Sequence, residues 1–215
     1  MDIALIGGHG KVALLAEPLL VEAGHTVHAV IRNPEHTAEV EATGASAVVA
    51  DIETLDAGGW DELLRGKDAV VWAAGAGGGS PQRTWAVDRD AAIASMKAAG
   101  RVGASRYVMV SYFGAGPDHG VPEEEPFYAY AEAKSQADAH LMGTQLEWTI
   151  LAPSGLTLEE PTGTIDATAT ESGTVSRGNV ARTIVAALER PATVGKVLPY
   201  NDGDQEIGAA FDAAV

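Results

Sequence analysis

The stretch MDIALIGGHGKVALLAEPLLVEAGHTVHAVIRNPEH (residues 1–36) decides the fold. Its first apolar run, residues 2–7, predicts a short buried strand, and the residues from Gly10 to Ala23 carry apolar side chains at helical spacing. A second strand is predicted over 26–31. A strand, a glycine turn, a helix and a second strand in this order are typical of the first βαβ unit of a parallel sheet.

The same alternation of strands and helices continues to the C-terminus. Further strands are predicted over 46–50, 68–75, 106–111, 146–153 and 196–202, helices over 34–44, 84–102, 126–143 and 178–190, and loops over 75–82 and 112–125. Because most strands are continuous apolar runs, both faces of the sheet must be covered, which predicts an α/β fold with a mostly parallel, doubly wound sheet. We expect residues 1–215 to form a single domain, in which the less regular part, 154–215, builds the substrate-side wall.

Composition excludes several classes of function. The chain has 215 residues, a formal net charge of −16 and no cysteine. This charge argues against binding to nucleic acid or to an anionic membrane, since both require clustered Lys and Arg. The lack of cysteine excludes disulfides and thiol catalysis. No signal segment or membrane-length apolar run is expected, so we predict a cytoplasmic protein.

The glycine turn predicts a phosphate site. Gly7 allows a tight turn, Gly10 allows the backbone to approach a pyrophosphate, and Ala13 allows the helix to pack closely on the sheet. The N–H groups at the helix N-terminus add the positive end of the helix dipole. The alternative is a plain structural turn. We predict that the backbone here binds a dinucleotide, through Gly7, Gly8, His9, Gly10, Lys11 and Val12.

Arg32 ends the second strand, where an acidic residue would bind the 2′-hydroxyl of NAD. An arginine there suits a 2′-phosphate through its charge and its bidentate fork. Asn33 can add a donor, and Glu35 is close enough to offset the charge of the guanidinium. We therefore expect NADP(H) as the preferred cofactor, with NAD(H) possible, although a solvated arginine is the simpler interpretation.

Two further strand ends are predicted to line the same cleft, because ligands of such sheets bind at the carboxyl ends of the strands. Asp51 and Ile52 follow the third strand and are placed to flank an adenine ring. Small residues follow the fourth strand, where a ribose or nicotinamide approaches the backbone: Ala73, Ala74 and Gly75. No metal site is expected, since His25 and His28 have no set of carboxylates or cysteines around them.

Ser111, Tyr130 and Lys134 form a candidate catalytic set. Ser111 ends the fifth strand, and Tyr130 and Lys134 are four residues apart on one face of a predicted helix. A nearby ammonium lowers the pKa of a phenol, and such a tyrosine can exchange a proton with the oxygen of a hydride acceptor. Ser111 would hold the same oxygen, and Lys134 could also bind the nicotinamide ribose. An aromatic residue packed on the sheet and a solvated lysine are the alternative.

The motifs GGHGKVA, VIRNPEH, DAVVWAAG, RYVMVSYFGA, YAEAK and EWTILAP, in this order, resemble the atypical short-chain dehydrogenase/reductase superfamily. The chain is most similar to its small NAD(P)-binding members, the NmrA-like and biliverdin/flavin reductase-like proteins. This resemblance implies a three-layer Rossmann fold. It also implies a place near the nicotinamide for Pro153, although many relatives carry arginine where this chain has Ala152.

These observations support two functions. The first is a reductase that transfers hydride between NADP(H) and a small carbonyl, quinone or flavin-like acceptor. The second, known in parts of the same group, is a regulator that senses NADP(H) without turnover. A nucleotide-sugar epimerase or dehydratase is less favoured, because the C-terminal third is short for its substrate domain. The sequence leaves the substrate and the oligomeric state open.

Overall fold

The computed structural model describes residues 1–77 and 80–215, and over these ranges it contains a nine-stranded sheet and a separate two-stranded sheet. The strands are β1 (Asp2–Ile6), β2 (Thr26–Ile31), β3 (Ser46–Val49), β4 (Ala69–Trp72), β5 (Arg106–Val110), β6 (Glu147–Pro153), β7 (Gly155–Thr157), β8 (Thr164–Asp166), β9 (Thr174–Ser176), β10 (Lys196–Asp202) and β11 (Gln205–Glu206). The α-helices are α1 (Ala13–Glu22), α2 (Thr37–Glu41), α3 (Ala57–Leu64), α4 (Pro81–Thr84), α5 (Ala92–Val102), α6 (Tyr128–Met142), α7 (Arg177–Glu189) and α8 (Ile207–Ala214).

The order of the strands in the large sheet is β11-β8-β10-β6-β5-β4-β1-β2-β3. The seven strands β10, β6, β5, β4, β1, β2 and β3, which are consecutive in this order, are all parallel. The edge strand pair differs, since β8 pairs antiparallel with both β10 and β11. The chain runs outward from β1 in one direction and returns at β4 to continue in the other. This reversal confirms the predicted doubly wound Rossmann-type sheet, in which ligands bind beside the reversal at the carboxyl ends of the strands.

Helices cover both faces of the sheet and enclose a hydrophobic core on each. On one face, α1, α7 and α8 contribute buried side chains such as Leu20, Ile184 and Phe211. On the other, α3 and α5 contribute Trp60 and Met96. Two covered faces explain why the central strands are continuous apolar runs.

Three features differ from the sequence prediction. The predicted helix over 84–102 begins earlier, at Pro81, and contains a π-helical segment, Trp85–Ala91, between α4 and α5. The predicted helix over 34–44 is a 3₁₀ turn, Pro34–His36, followed by the short helix α2. The strands β7 and β9 pair with each other in a region rich in Thr and Gly, where the sequence predicts a single short strand near residues 163–167, the position of β8. The predicted loop over 75–82 includes Gly78 and Gly79, which lie outside the described residues.

Over residues 1–77 and 80–215, we find no helix with both the length and the hydrophobicity needed to cross a membrane.

Candidate active site

The glycine turn between β1 and α1 is closed by hydrogen bonds to β2. The N–H groups of Gly7 and Gly8 donate to the carbonyl of Val30 at 3.2 and 2.9 Å. Gly7 has a φ of +88°, and a Cβ added to it would lie 2.6 Å from Cα of Ala74. Glycine is therefore required at position 7, as predicted. Because Gly7 and Gly8 already donate to Val30, donors to a phosphate must come from later residues.

These donors lie at the N-terminus of α1. The N–H of Leu14 donates to the carbonyl of Gly10 at 2.9 Å, which begins the helical hydrogen bonding. In the part of the chain that the structure describes, no backbone carbonyl accepts from Lys11, Val12 or Ala13. Unpaired N–H groups at the positive end of a helix bind anions such as phosphate. The backbone at 11–13 therefore fits a dinucleotide diphosphate, while the side chain of Lys11 is exposed.

A cleft of about 600 Å³ crosses the carboxyl ends of β1, β2, β3 and β4. It brings together most of the residues that the sequence predicts to bind the cofactor: Gly7, His9, Gly10, Arg32, Asn33, Ile52, Ala73, Ala74 and Gly75. The carboxylate of Asp51 accepts from the N–H of Glu53 at 3.1 Å, and its place beside an adenine ring remains a prediction. Pro153 is buried at the end of β6, and its carbonyl accepts from Phe113 at 2.8 Å.

Arg32 has a partner that the sequence did not identify. Its Nη1 atom donates to Oε1 of Glu53 at 3.0 Å, and Nε of Arg83 donates to the same oxygen at 2.9 Å. Glu35, the predicted partner, instead accepts from Nδ2 of Asn33 at 3.2 Å. The end of the cleft beside β2 and β3, where the sequence predicts the adenosine half of the cofactor, thus carries the two guanidinium groups of Arg32 and Arg83 and the carboxylate of Glu53 between them.

Two histidines stack at the same end of the cleft. The rings of His9 and His36 have centroids 3.5 Å apart with 13° between their planes. Nε2 of His9 lies 2.8 Å from Oε2 of Glu39. The glycine turn is thereby connected to the 3₁₀ turn after β2, and His36 becomes a cleft residue that the sequence did not indicate.

A second cavity, of about 470 Å³, lies next to the cleft, and Gly75, Ala76 and Gly77 line both. Tyr130 lines its far wall. The ring of Tyr130 packs against those of Tyr112 and Phe127, at centroid distances of 5.6 and 5.2 Å. The remaining lining residues are Ser80, Pro81, Thr84, Asp88, Pro126, Phe127 and Ala129.

The electrostatics of Tyr130 differ from the prediction. Burial raises the pKa of the Tyr130 phenol far above its usual value, and the carboxylates of Asp88 and Asp138 raise it further. The prediction that Lys134 lowers this pKa is wrong. The hydroxyl of Tyr130 therefore keeps its proton at physiological pH, and its catalytic role remains a prediction.

Lys134 is fully buried, with none of its surface exposed. Its Nζ atom donates to the carbonyl of Val110 at 2.8 Å and contacts Sδ of Met109 at 3.1 Å. Burial lowers its pKa, whereas Asp138 and Asp88 act in the opposite direction. The ammonium is thus held beneath the end of β5, and its predicted contact with the nicotinamide ribose remains a prediction.

Ser111 is also buried, and its hydroxyl donates a hydrogen bond to Oδ2 of Asp138. Burial raises the pKa of Asp138, while Lys134 and Ser111 counteract that shift. The second oxygen of this carboxyl, Oδ1, has no hydrogen-bond partner among the described residues. Ser111, Lys134 and Asp138 form one polar cluster behind Tyr130, and the contact of Ser111 with a substrate remains a prediction.

Asp88 completes the wall between the two cavities. Its Oδ2 atom accepts from the N–H of Ala76 at 3.1 Å, and a Cβ on Gly75 would lie 3.2 Å from Oδ1. Burial raises the pKa of Asp88, against the influence of Lys134. The sequence prediction omits both acids. Asp138 was detectable, since it lies four residues after Lys134 on the same helix face, but the π-helical segment that positions Asp88 left no signal.

Comparison with known proteins assigns the family. The profile of a family described as NAD(P)H-binding matches residues 7–191, and the chain belongs to this family. It is 34% identical over 218 residues to the uncharacterized sugar epimerase YhfK of Bacillus subtilis, covering 98% of this chain and 99% of YhfK.

Two solved structures extend the comparison. A candidate NAD-dependent epimerase/dehydratase from Bacillus halodurans superposes with a TM-score of 0.90 at 31% identity, covering 99% of both chains. The oxidoreductase ylbE from Lactococcus lactis gives 0.88 at 28% identity, covering 99% of this chain and 96% of ylbE. The family and these relatives confirm the predicted resemblance to the atypical short-chain dehydrogenase/reductase group.

Proposed function

We propose that the protein is an NADP(H)-dependent reductase that acts on a small carbonyl, quinone or flavin-like acceptor. One observation carries this proposal: the cleft that fits a dinucleotide lies next to a second cavity lined by Tyr130, and only the strip Gly75–Gly77, which lines both, lies between them. A hydride donor in the cleft and a proton donor in the cavity are the two groups that a carbonyl reduction requires.

The residues of the cleft fit the cofactor. The free N–H groups of residues 11–13 match a diphosphate, and the small residues Ala73, Ala74 and Gly75 leave room for a ribose beside the backbone. Arg32 supports NADP(H) over NAD(H), because its half-exposed guanidinium lines the cleft and matches a 2′-phosphate in charge and geometry.

The bound cofactor supplies the hydride, and the chain supplies the proton. Tyr130 gives its hydroxyl proton to the acceptor oxygen as that oxygen gains negative charge, and solvent in the cavity restores the proton. The phenol of Tyr130 holds its proton at neutral pH, as donation requires, while the raised pKa makes it a weaker acid than a free phenol. The opposite reaction, oxidation of an alcohol, would need the phenolate that Asp88 and Asp138 disfavour.

The buried cluster behind Tyr130 has a positioning role in this reaction. Lys134 joins the first turns of α6 to the end of β5 through Val110, and Asp138 joins the same helix to Ser111. These two bonds fix the distance between α6 and the strand ends. The position of Tyr130, which lies on α6, is therefore fixed relative to the end of β5.

A second function has an observation in its favour. Lys134 donates to Val110, so the electrostatic activation expected of a Tyr-Lys pair is missing. A protein that binds NADP(H) and changes a partner contact, without turnover, would tolerate this arrangement. Such a sensor would bind the oxidised and reduced cofactors with different affinities.

The test is steady-state oxidation of NADPH against a panel of quinones, carbonyls and flavins. Replacing Tyr130 by Phe should lower kcat by roughly 10²-fold or more, since a positioned general acid contributes about that much. Tyr128→Phe is the matched control, because Tyr128 lies on the same helix but does not line the cavity. Tight NADPH binding with no turnover on any acceptor would favour the sensor, and conversion of a nucleotide sugar without net NADPH oxidation would favour an epimerase.

A further inference from the structure

Glu53 occupies an unusual position in the cleft. A single oxygen of its carboxylate, Oε1, accepts hydrogen bonds from Arg32 at 3.0 Å and from Arg83 at 2.9 Å. The three side chains come from separate segments, since Arg32 follows β2, Glu53 follows β3, and Arg83 belongs to α4. An anion is thus already held between two guanidinium groups at the adenosine end of the cleft.

The two arginines are not equally constrained by hydrogen bonds. Nη1 of Arg83 also donates to the carbonyl of Ala76 at 2.8 Å, which fixes this guanidinium to the cleft wall independently of Glu53. The side chain of Arg32 is 55% exposed, and that of Glu53 is 23% exposed. Arg32 and Glu53 can therefore change partners, while Arg83 keeps its place.

A 2′-phosphate would need the same donors as the Glu53 carboxylate. Guanidinium groups bind phosphate and carboxylate oxygens with the same planar fork. A phosphate monoester carries a charge of about −1.5 to −2 near neutral pH, so a carboxylate left beside it would repel it. A ribose 2′-hydroxyl is neutral and can donate to a carboxylate, as acidic residues do in NAD sites.

We propose that Glu53 is a specificity-determining residue: it stands in for the 2′-phosphate between Arg32 and Arg83, and so limits the preference for NADP(H) over NAD(H). This inference rests on the proposed function for the identity of the cleft ligand. Binding of NADP(H) displaces the Glu53 carboxylate from Arg32, whereas NAD(H) leaves it in place. Arg32 alone, which the sequence indicates, is then an incomplete guide to the cofactor.

The test compares the dissociation constants of NADPH and NADH for the full-length protein and its Glu53→Gln variant. Removal of the competing charge should tighten NADPH binding about tenfold, the effect of one unit charge close to a phosphate in a partly solvated site. NADH binding should change less than about twofold, because its ribose lacks the phosphate. The readout is the dissociation constant of NADH divided by that of NADPH, which should rise in Glu53→Gln. A nearly unchanged NADH constant shows that the variant is folded.

Glu35→Gln is the matched control. It removes the same charge three residues after Arg32, but among the described residues the carboxylate of Glu35 contacts Asn33 and no guanidinium. The ratio should stay near that of the unmodified protein. In an Arg83→Gln background, Glu53→Gln should raise this ratio less, because one of the two guanidinium groups that would bind the phosphate is missing.

Two results would overturn the inference: an unchanged ratio in Glu53→Gln, or an equal rise in Glu35→Gln. Failure of the proposed function is a different result, because the unmodified protein would then bind neither nucleotide or would bind both without turnover.

Discussion

Ser111 and Asp138 join the end of β5 to the middle of α6 through one buried hydrogen bond. Both side chains are almost fully enclosed, and the ammonium of Lys134 is one helical turn away. This cluster is the polar centre of a contact that is otherwise apolar. Its bonds therefore have consequences for stability as well as for the position of Tyr130.

Replacing Ser111 by Ala should lower the free energy of unfolding by about 1–3 kcal/mol, because it leaves a buried carboxyl without its donor. Urea denaturation of both proteins would measure the loss. In an Asp138→Leu background the same replacement should cost much less, since the acceptor is already gone. Equal costs in the two backgrounds would show that the bond does not stabilise the fold.

Glu17 predicts a dependence of stability on pH. This carboxyl is buried on α1, and burial raises its pKa to about 7. The hydroxyl of Thr43 is 2.9 Å from Oε2 of Glu17 and 2.6 Å from the carbonyl of Val40. The bond from Thr43 opposes part of the shift caused by burial, and the second carboxyl oxygen of Glu17, Oε1, has no partner among the described residues.

The sign follows from the raised pKa. In the unfolded chain Glu17 loses its proton near pH 4.5, whereas in the folded protein it keeps the proton up to about pH 7. The contribution of Glu17 to stability is therefore fully present below pH 4.5 and is lost as the pH rises through 7, by an amount on the order of 2 kcal/mol. Glu17→Gln should remove this loss between pH 5 and 8, and Glu22→Gln, at the exposed end of α1, should retain it. Parallel pH curves for Glu17→Gln and the unmodified protein would contradict the assignment.

The glycine turn allows backbone strain to be separated from crowding. Gly7 and Gly24 have similar φ values, +88° and +84°, but a Cβ on Gly24 would have no neighbour within 4 Å. Gly24→Ala should cost about 1–2 kcal/mol from the left-handed backbone alone. Gly7→Ala should cost at least about 3 kcal/mol, because its Cβ also overlaps Ala74. Thermal unfolding would measure both, and equal losses would disprove the crowding at Gly7.

Arg106 is a buried arginine that stabilises the sheet. Its Nη2 atom donates to Oγ1 of Thr149 at 2.7 Å, the carbonyl of Ala187 at 2.8 Å and Oγ1 of Thr193 at 3.1 Å. Arg106→Lys keeps the charge but loses the fork, so the free energy of unfolding should fall by roughly 2–4 kcal/mol.

The control for this prediction is Arg101→Lys, in an exposed pair with Asp61. That substitution should cost less than about 1 kcal/mol. Guanidinium chloride denaturation of the two variants provides the comparison, and a loss at position 106 no larger than that at position 101 would refute the role of the fork.

The sequence predicted the central sheet well and its additions poorly. The apolar runs at 2–7 and 106–111 lie between two helical layers, so their hydrophobicity identifies them without further information. The strands β7 and β9 have three residues each, which is too short to display an alternating pattern. Their pairing depends on contacts between distant segments.

In the candidate site, too, local patterns predicted some features, whereas those that depend on contacts between distant segments were missed. Helical spacing correctly placed Tyr130 and Lys134 on one face of α6, but spacing carries no information on depth, and Lys134 is directed beneath β5. Local proximity suggested Glu35 as the partner of Arg32, whereas the partner is Glu53, which follows the adjacent strand. Pairing between strand ends depends on sheet order, which single-sequence periodicity does not specify.

The π-helical segment Trp85–Ala91 has a consequence for engineering. A π turn holds about one residue more than an α turn, and such turns are often found at functional sites. Deleting a single residue within it would restore regular helical geometry, keep α5 in register with the sheet, and rotate Asp88 away from the Gly75–Ala76 backbone. One codon removed here would thus release the Ala76 N–H from Asp88 and leave the strip Gly75–Gly77, between the two cavities, without that support.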